Sequence, residues 1–192
     1  IGKALGSSSG PAENMRYTTL GETLDIGVGN FLDLVGRHLK LDPPDAVGVL
    51  RRAPEGKLLQ LPYVVKGMNV SFTGLFTAVQ RLPPSTSPSD TCFSSQETAF
   101  SMLCETLEKA LVLTGKKEVL LVGGNARNAR LQEMVSFVAQ EHGAKFGVPP
   151  FEFCGDNGGM IALTGLMQLG TKYGFERTPN QKVRVEQEQV LW

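Results

Sequence analysis

Apolar positions recur at helical spacing over most of the chain, and short alternating or extended apolar runs separate them. Over residues 22–39, Leu24, Val28, Phe31, Leu32, Val35 and Leu39 share one broad face, which predicts an amphipathic helix. DPPD (42–45) breaks that pattern, and residues 46–53 add one or two further turns. Residues 58–65 read as an extended apolar segment interrupted by Pro62, GMNVSFTG (67–74) as a turn, and residues 73–82 as a helix. PPSTSPSD (83–90) is polar and proline-rich, so an exposed, mobile linker is expected there.

The clearest helix follows, with Ser89 or Asp90 as its cap. Phe93, Phe100, Leu103, Leu107 and Leu111 recur along it, and it ends near Thr114, where Gly115 suits the C-terminal cap. EVLLV (118–122) predicts a short strand buried in a sheet. A helix over 128–142 carries Leu131, Met134, Val135 and Val138 inward, a strand spans 145–148, and CGDNGG (154–159) opens a helix over 160–169. Residues 15–20 alternate weakly and read as a strand; residues 1–14 read as a flexible leading segment and residues 171–192 as an irregular tail. The alternation of helix and strand in the second half is an α/β layer pattern.

Composition narrows the function classes. The 192 residues suit one domain of ordinary size or a little more. Nineteen Lys+Arg offset nineteen Asp+Glu, which argues against a grip on nucleic acid by this chain alone, because phosphate neutralisation needs clustered cations. No apolar run reaches about 18 residues, so no membrane partner is expected. Cys92, Cys104 and Cys154 are odd in number with no CxxC, so inert thiols in a reducing, cytoplasmic compartment fit best, with the nucleus as a second one.

Three features carry candidate chemistry. Asp25, Gly29, Asp33 and Gly36 form a stripe on the predicted helix over 22–39. Each glycine costs roughly 1 kcal/mol against alanine within a helix, so close approach of a backbone or ligand, or a helix–helix contact beside a solvated acidic face, must explain them. Gly123-Gly124-Asn125 lies between a strand and a helix, where free N–H groups favour anions; a tight turn with Asn128 as N-cap is the structural alternative. Asp156 either ligates a metal or caps a helix. His38 and His142 form no HxxH or HExxH pair, and neither a Walker loop nor a GxSxG elbow is present, so no catalytic residue is assignable within this chain alone.

Five ordered blocks, GETLDIGVGNFLD (21–33), LPYVVKGMNVSFTG (61–74), CFSSQETAFSML (92–103), LLVGGNARNARLQEM (120–134) and FCGDNGGMIA (153–162), together resemble the C-terminal half of the universal tRNA threonylcarbamoyladenosine transferases, formerly labelled glycoproteases. KGMNVSF resembles the archaeal and eukaryotic branch. The resemblance implies an α/β lobe of the actin-like/Hsp70-like ATPase fold (ASKHA), a mixed sheet flanked by helices, over residues 15–170. It implies transfer of threonylcarbamoyl from threonylcarbamoyl-AMP to N6 of adenosine 37 in tRNAs reading codons that begin with A, with either that adenylate or ATP as the bound nucleotide. It further implies one divalent metal, iron or zinc, and as partners tRNA and KEOPS-type subunits that bind mainly the other lobe.

Matched residue by residue, Asp156 takes the place of a metal ligand, Asn128 contacts the adenylate beside Gly123 and Gly124, and Asp33 holds the ribose hydroxyls, with Asp25 on the same stripe. The family's glycine and the acidic residue four positions later fall at Ala46 and Leu50, with Gly48 as a shifted substitute. Ala126 and Arg127 replace smaller loop residues, and Arg127 either attracts phosphate or faces solvent. The family's HxxxH metal motif has no counterpart here, so the chain reads as one incomplete lobe, inactive alone, with an exposed sheet edge beside residues 15–20. A non-catalytic, partner-binding relative is the alternative; a metallopeptidase is disfavoured because no zinc-binding helix motif is present.

Overall fold

The computed structural model describes residues 2–5, 16–155 and 158–168. The chain divides into two units, Ile1–Leu20 with Gly155–Trp192, and Gly21–Cys154. In the first, strand β1 (Gly2–Leu5) pairs antiparallel with β2 (Arg16–Thr19), Gly2 opposite Thr19 and Leu5 opposite Arg16. Part of the expected leading segment is therefore a strand, and it covers one edge of β2 by satisfying that ladder's backbone groups. The same unit contains the last described helix, Gly158–Gln168, close to the expected span, with Ile161, Leu163 and Leu166 exposed. The expected tail over 171–192 lies outside the described residues.

The second unit begins with residues that the periodicity assigns to a helix. Glu22 and Leu24 instead exchange backbone hydrogen bonds with Val70, and helix α1 starts only at Val28 (Val28–His38). Asp25 enforces the difference, because its carboxylate collects amides that would otherwise be uncapped. Helix α2 (Ala46–Arg52) is capped by Asp45, whose Oδ1 accepts from the amides of Val47 and Gly48, and a turn at Ala53–Glu55 follows. A hairpin of β3 (Val65–Lys66) and β4 (Asn69–Val70) turns at Gly67, whose φ of 64° suits glycine. It leads into α3 (Thr73–Gln80).

Helix α4 (Pro88–Thr114) is the axis of this unit. Pro88 occupies its first turn and Ser87 its N-cap position, so the expected linker ends earlier than its composition suggests. Asp90 does not cap the helix; it accepts the amide of Lys57, and Ser94 Oγ accepts that of Leu59, fastening the extended segment over 57–59 along α4. Between Ser89 and Phe100 almost every side chain is buried, including Ser94, Ser95 and Thr98, because neighbours surround the helix on all sides and small residues let them approach. Phe31, Leu32 and Val35 of α1, Val49 of α2, and Phe72, Leu75 and Val79 pack with Cys92, Phe100 and Met102 in one core, and Phe31 stacks on Phe72 at 5.7 Å.

Gly115 closes α4 in the left-handed conformation, as expected. Strand β5 (Glu118–Leu120), helix α5 (Ala129–Glu141) and strand β6 (Lys145–Gly147) follow, and β5 pairs parallel with β6, Val119 opposite Phe146. The expected burial of β5 is not observed. Val119 and Phe146 pack on Leu111, Ala139 and Ala144, whereas Leu120 and Val122 are 68% and 60% exposed. Among the described residues this sheet has two strands, with α4 and α5 on one face only, so alternate side chains face water. No helix among the described residues is long and apolar enough to cross a membrane. The helix over Gly158–Gln168, the last among the described residues, is α6.

Candidate nucleotide-binding site

The two acidic residues of the stripe have different surroundings. Asp25 lies before α1. Its Oδ1 accepts from the amides of Ile26 at 2.7 Å and Phe72 at 2.9 Å, and its Oδ2 from the amide of Thr73 at 2.9 Å and the hydroxyl of Ser71 at 2.6 Å. Burial alone would raise its pKa. The Ser71 hydroxyl and the amides of Phe72, Thr73 and Ile26 outweigh that and hold the carboxyl well below the usual carboxylate range. This is a clasp between the approach to α1 and the start of α3, and both oxygens are engaged. Asp33 lies within α1, half-buried, and its Oδ1 accepts one bond, from the Ala46 amide at 2.9 Å. An ionised carboxylate has about four lone-pair sites, so Asp33 keeps acceptor capacity for a ligand.

The glycines of the stripe also divide. A Cβ on Gly36 would lie 2.5 Å from the Asp45 carbonyl oxygen, so Gly36 serves the packing of α2 on α1. A Cβ on Gly29 would lie 2.8 Å from Asn125 Nδ2. Gly29 therefore brings the loop over 123–128 onto the start of α1, one helical turn before Asp33 on the same face. That start has no side-chain cap. In the loop, Gly123 takes a φ of 92°, and a Cβ on Gly123 or Gly124 would meet nothing within 4 Å, so their backbone faces open space. A turn at Gly124–Arg127 ends at Asn128, the N-cap of α5, whose Oδ1 accepts from the Leu131 amide at 3.1 Å. Asn128 is 4% exposed, and its Nδ2 is buried without a hydrogen-bond partner. Both sequence readings of this loop are compatible with the geometry: Asn128 is a cap, and its amide donor is unused.

Other candidates separate from this group. Gly48 is buried in α2, and a Cβ there would collide with the Pro43 carbonyl, so its bareness is filled by protein. Arg127 is exposed and also tied down: its Nε donates to the Phe151 carbonyl at 3.0 Å, and its guanidinium carbon lies 4.3 Å from the Phe151 ring centroid, which leaves its terminal nitrogens without a protein partner among the described residues. Asp156 lies outside the described residues. Among the described residues no three His, Cys, Asp or Glu side chains gather as a metal shell requires. His142 meets Glu108 at 3.0 Å, and His38 sits edge-on to Phe76. Burial pushes the thiols of Cys92 and Cys104 up to about 11, as inert cysteines require. The sequence reading missed Asn125 as the residue that fills the gap at Gly29; the signal was there, since a glycine inside an amphipathic helix needs a neighbour.

A family model described as TsaD, tRNA N6-adenosine threonylcarbamoyltransferase, matches residues 11–163. The chain is 52% identical to the tRNA N6-adenosine threonylcarbamoyltransferase of Methanocella arvoryzae over 155 residues, covering 80% of this chain and 48% of the relative. It is 49% identical to the protein of the same name from Archaeoglobus fulgidus over 185 residues, covering 92% of this chain and 56% of the relative. The chain thus spans about half the length of these curated relatives. A crystal structure of HypF from T. kodakarensis superposes with a TM-score of 0.56 over 79% of this chain and 21% of that one, at 23% identity, a likeness of fold.

Proposed function

Since the chain belongs to the TsaD family of tRNA N6-adenosine threonylcarbamoyltransferases, we propose that it forms the adenylate-holding part of such an enzyme. The enzyme would transfer threonylcarbamoyl from threonylcarbamoyl-AMP to N6 of adenosine 37 in tRNA. The observation that carries this reading is the seating of loop 123–128 on the start of α1 at Gly29, with Asp33 one turn away. Asp33 would accept the ribose hydroxyls with its unengaged oxygen, the open backbone at Gly123 and Gly124 would approach the phosphate, and the unpaired Asn128 Nδ2 would donate to the adenylate. These are positioning roles, which act by holding the reacting group in line.

The same reading assigns the lobe to the actin-like ATPase fold, and the likeness to HypF supports it at the level of fold. It assigns Asp156 to a divalent metal, iron or zinc. When bound, such a metal would supply Lewis-acid polarisation near the phosphate. Recognition of tRNA and of KEOPS-type subunits would rest on surfaces beyond this site, in keeping with the zero net charge. The test is a transfer assay on tRNA. The 192-residue chain alone should give no turnover, and the complete enzyme carrying Asn128→Ala should lose activity at least about tenfold. Turnover by the chain alone, or full activity in that variant, contradicts the proposal.

A further inference from the structure

We propose that Arg127 is a positioning residue that locks loop 123–128 to the turn Phe151–Phe153, so that the loop and the turn respond together. The connection to nucleotide rests on the function proposed above; the lock itself rests on geometry. Arg127 makes two contacts of different kinds with one residue 24 positions away. Its Nε donates to the Phe151 carbonyl at 3.0 Å, and its guanidinium carbon lies over the Phe151 ring, 4.3 Å from the centroid. Phe151 is 67% exposed, so burial does not fix its ring, and the arginine supplies the contact instead.

Each end of the link is a self-bonded turn. In the loop, the amides of Ala126 and Asn128 donate to the carbonyls of Gly123 and Asn125, and Gln132 Nε2 donates to the Ala126 carbonyl. In the turn, the amides of Phe153 and Cys154 donate to the carbonyls of Pro150 and Phe151, and the Cys154 thiol donates to the Pro149 carbonyl. A rigid tie between two small, stiff pieces transmits displacement; a tie between floppy ones would not. Asp156 follows Cys154 by two positions in the sequence. A planar guanidinium can donate through Nε and stack at once, which a lysine ammonium on its flexible stem cannot reproduce.

Amide hydrogen exchange on the 192-residue chain tests this. In Arg127→Ala, the amides of Ala126, Asn128, Phe153 and Cys154 should exchange about threefold faster or more, while those of α4 keep their rates. Arg127→Lys should not restore them, and Phe151→Leu, which keeps the carbonyl, should show a smaller acceleration. In the wild-type chain AMP should slow Phe153 and Cys154 as well as the loop; in Arg127→Ala it should slow the loop only. Acceleration confined to the loop, or absent, overturns the lock, and so do full rescue by lysine and AMP protection that stops at the loop in the wild-type chain. If AMP slows nothing while the coupled acceleration is seen, the lock stands and the nucleotide reading fails.

Discussion

Asp25 and Asp33 belong to one stripe by spacing and to two different regions by structure. Around Asp25 the polar groups are matched: four strong donors meet one carboxylate, and the clasp ties two segments that are 46 or more residues apart in sequence. Around Asp33 and loop 123–128 they are not. Asp33 accepts one bond, Asn128 Nδ2 has no partner, and the loop glycines face open space. Saturated carboxylates hold a fold together, whereas unsatisfied donors and acceptors grouped at one place are available to a ligand.

The sharpest way to break this contrast is Asp25→Ala. It should lower stability by about 2–3 kcal/mol, as expected for a carboxylate that accepts three backbone amides and a hydroxyl, discounted for its exposure. Urea unfolding followed by circular dichroism measures it, and a loss as small as that of an ordinary surface substitution would show that the clasp is ornamental. Gly36→Ala comes next. Its Cβ would press on the Asp45 backbone, and such overpacking should cost about 1–2 kcal/mol despite alanine's better helix propensity.

The acid limb of stability is a smaller effect. The folded pKa of Asp25 lies below its unfolded value, so its contribution is fully present above the unfolded pKa of about 4 and is lost as the pH falls from there through the folded value. Between pH ~5 and pH ~2.5 the wild-type chain should therefore lose about 1 kcal/mol more than Asp25→Ala, with urea midpoints as the measure. Parallel midpoints for the two proteins would reject the clasp as the source. Smallest is Gly29→Ala. A flexible amide end, not backbone, stands where its Cβ would go, so stability should change by about 0.5 kcal/mol or less, while the NMR amide shifts of Gly123 and Gly124 move as Asn125 is displaced.

The helices were legible where one face packs on one core. The spacing of Phe100, Leu103, Leu107 and Leu111, and the Gly115 cap, found α4 nearly to its ends. Its first turns were harder, because burial on every side by Ser94, Ser95 and Thr98 carries no stripe. The start of α1 was missed because Asp25 draws in amides from Phe72 and Thr73, a contact across more than 45 residues that no local pattern records. Strand β5 reads as buried because the four residues after Glu118, VLLV, are all apolar, yet Leu120 and Val122 are exposed. In the site, Gly29 and Asp33 could be picked out from the chain, whereas the partner of each, Asn125 and the Ala46 amide, emerged only from the fold.

The most direct test of the central claim is an NMR titration of the 192-residue chain with AMP, repeated on Asp33→Asn. The isosteric amide keeps an oxygen for the Ala46 amide and removes the charged acceptor, so the fold should be retained. On the proposed function the chain should bind AMP weakly, with a Kd on the order of 1 mM, and the variant should bind about tenfold more weakly, with shifts centred on Gly123, Gly124 and Asn128 in the wild-type chain. Equal affinity in the two proteins, or shifts that avoid this loop, would contradict the assignment of the nucleotide to Asp33 and loop 123–128.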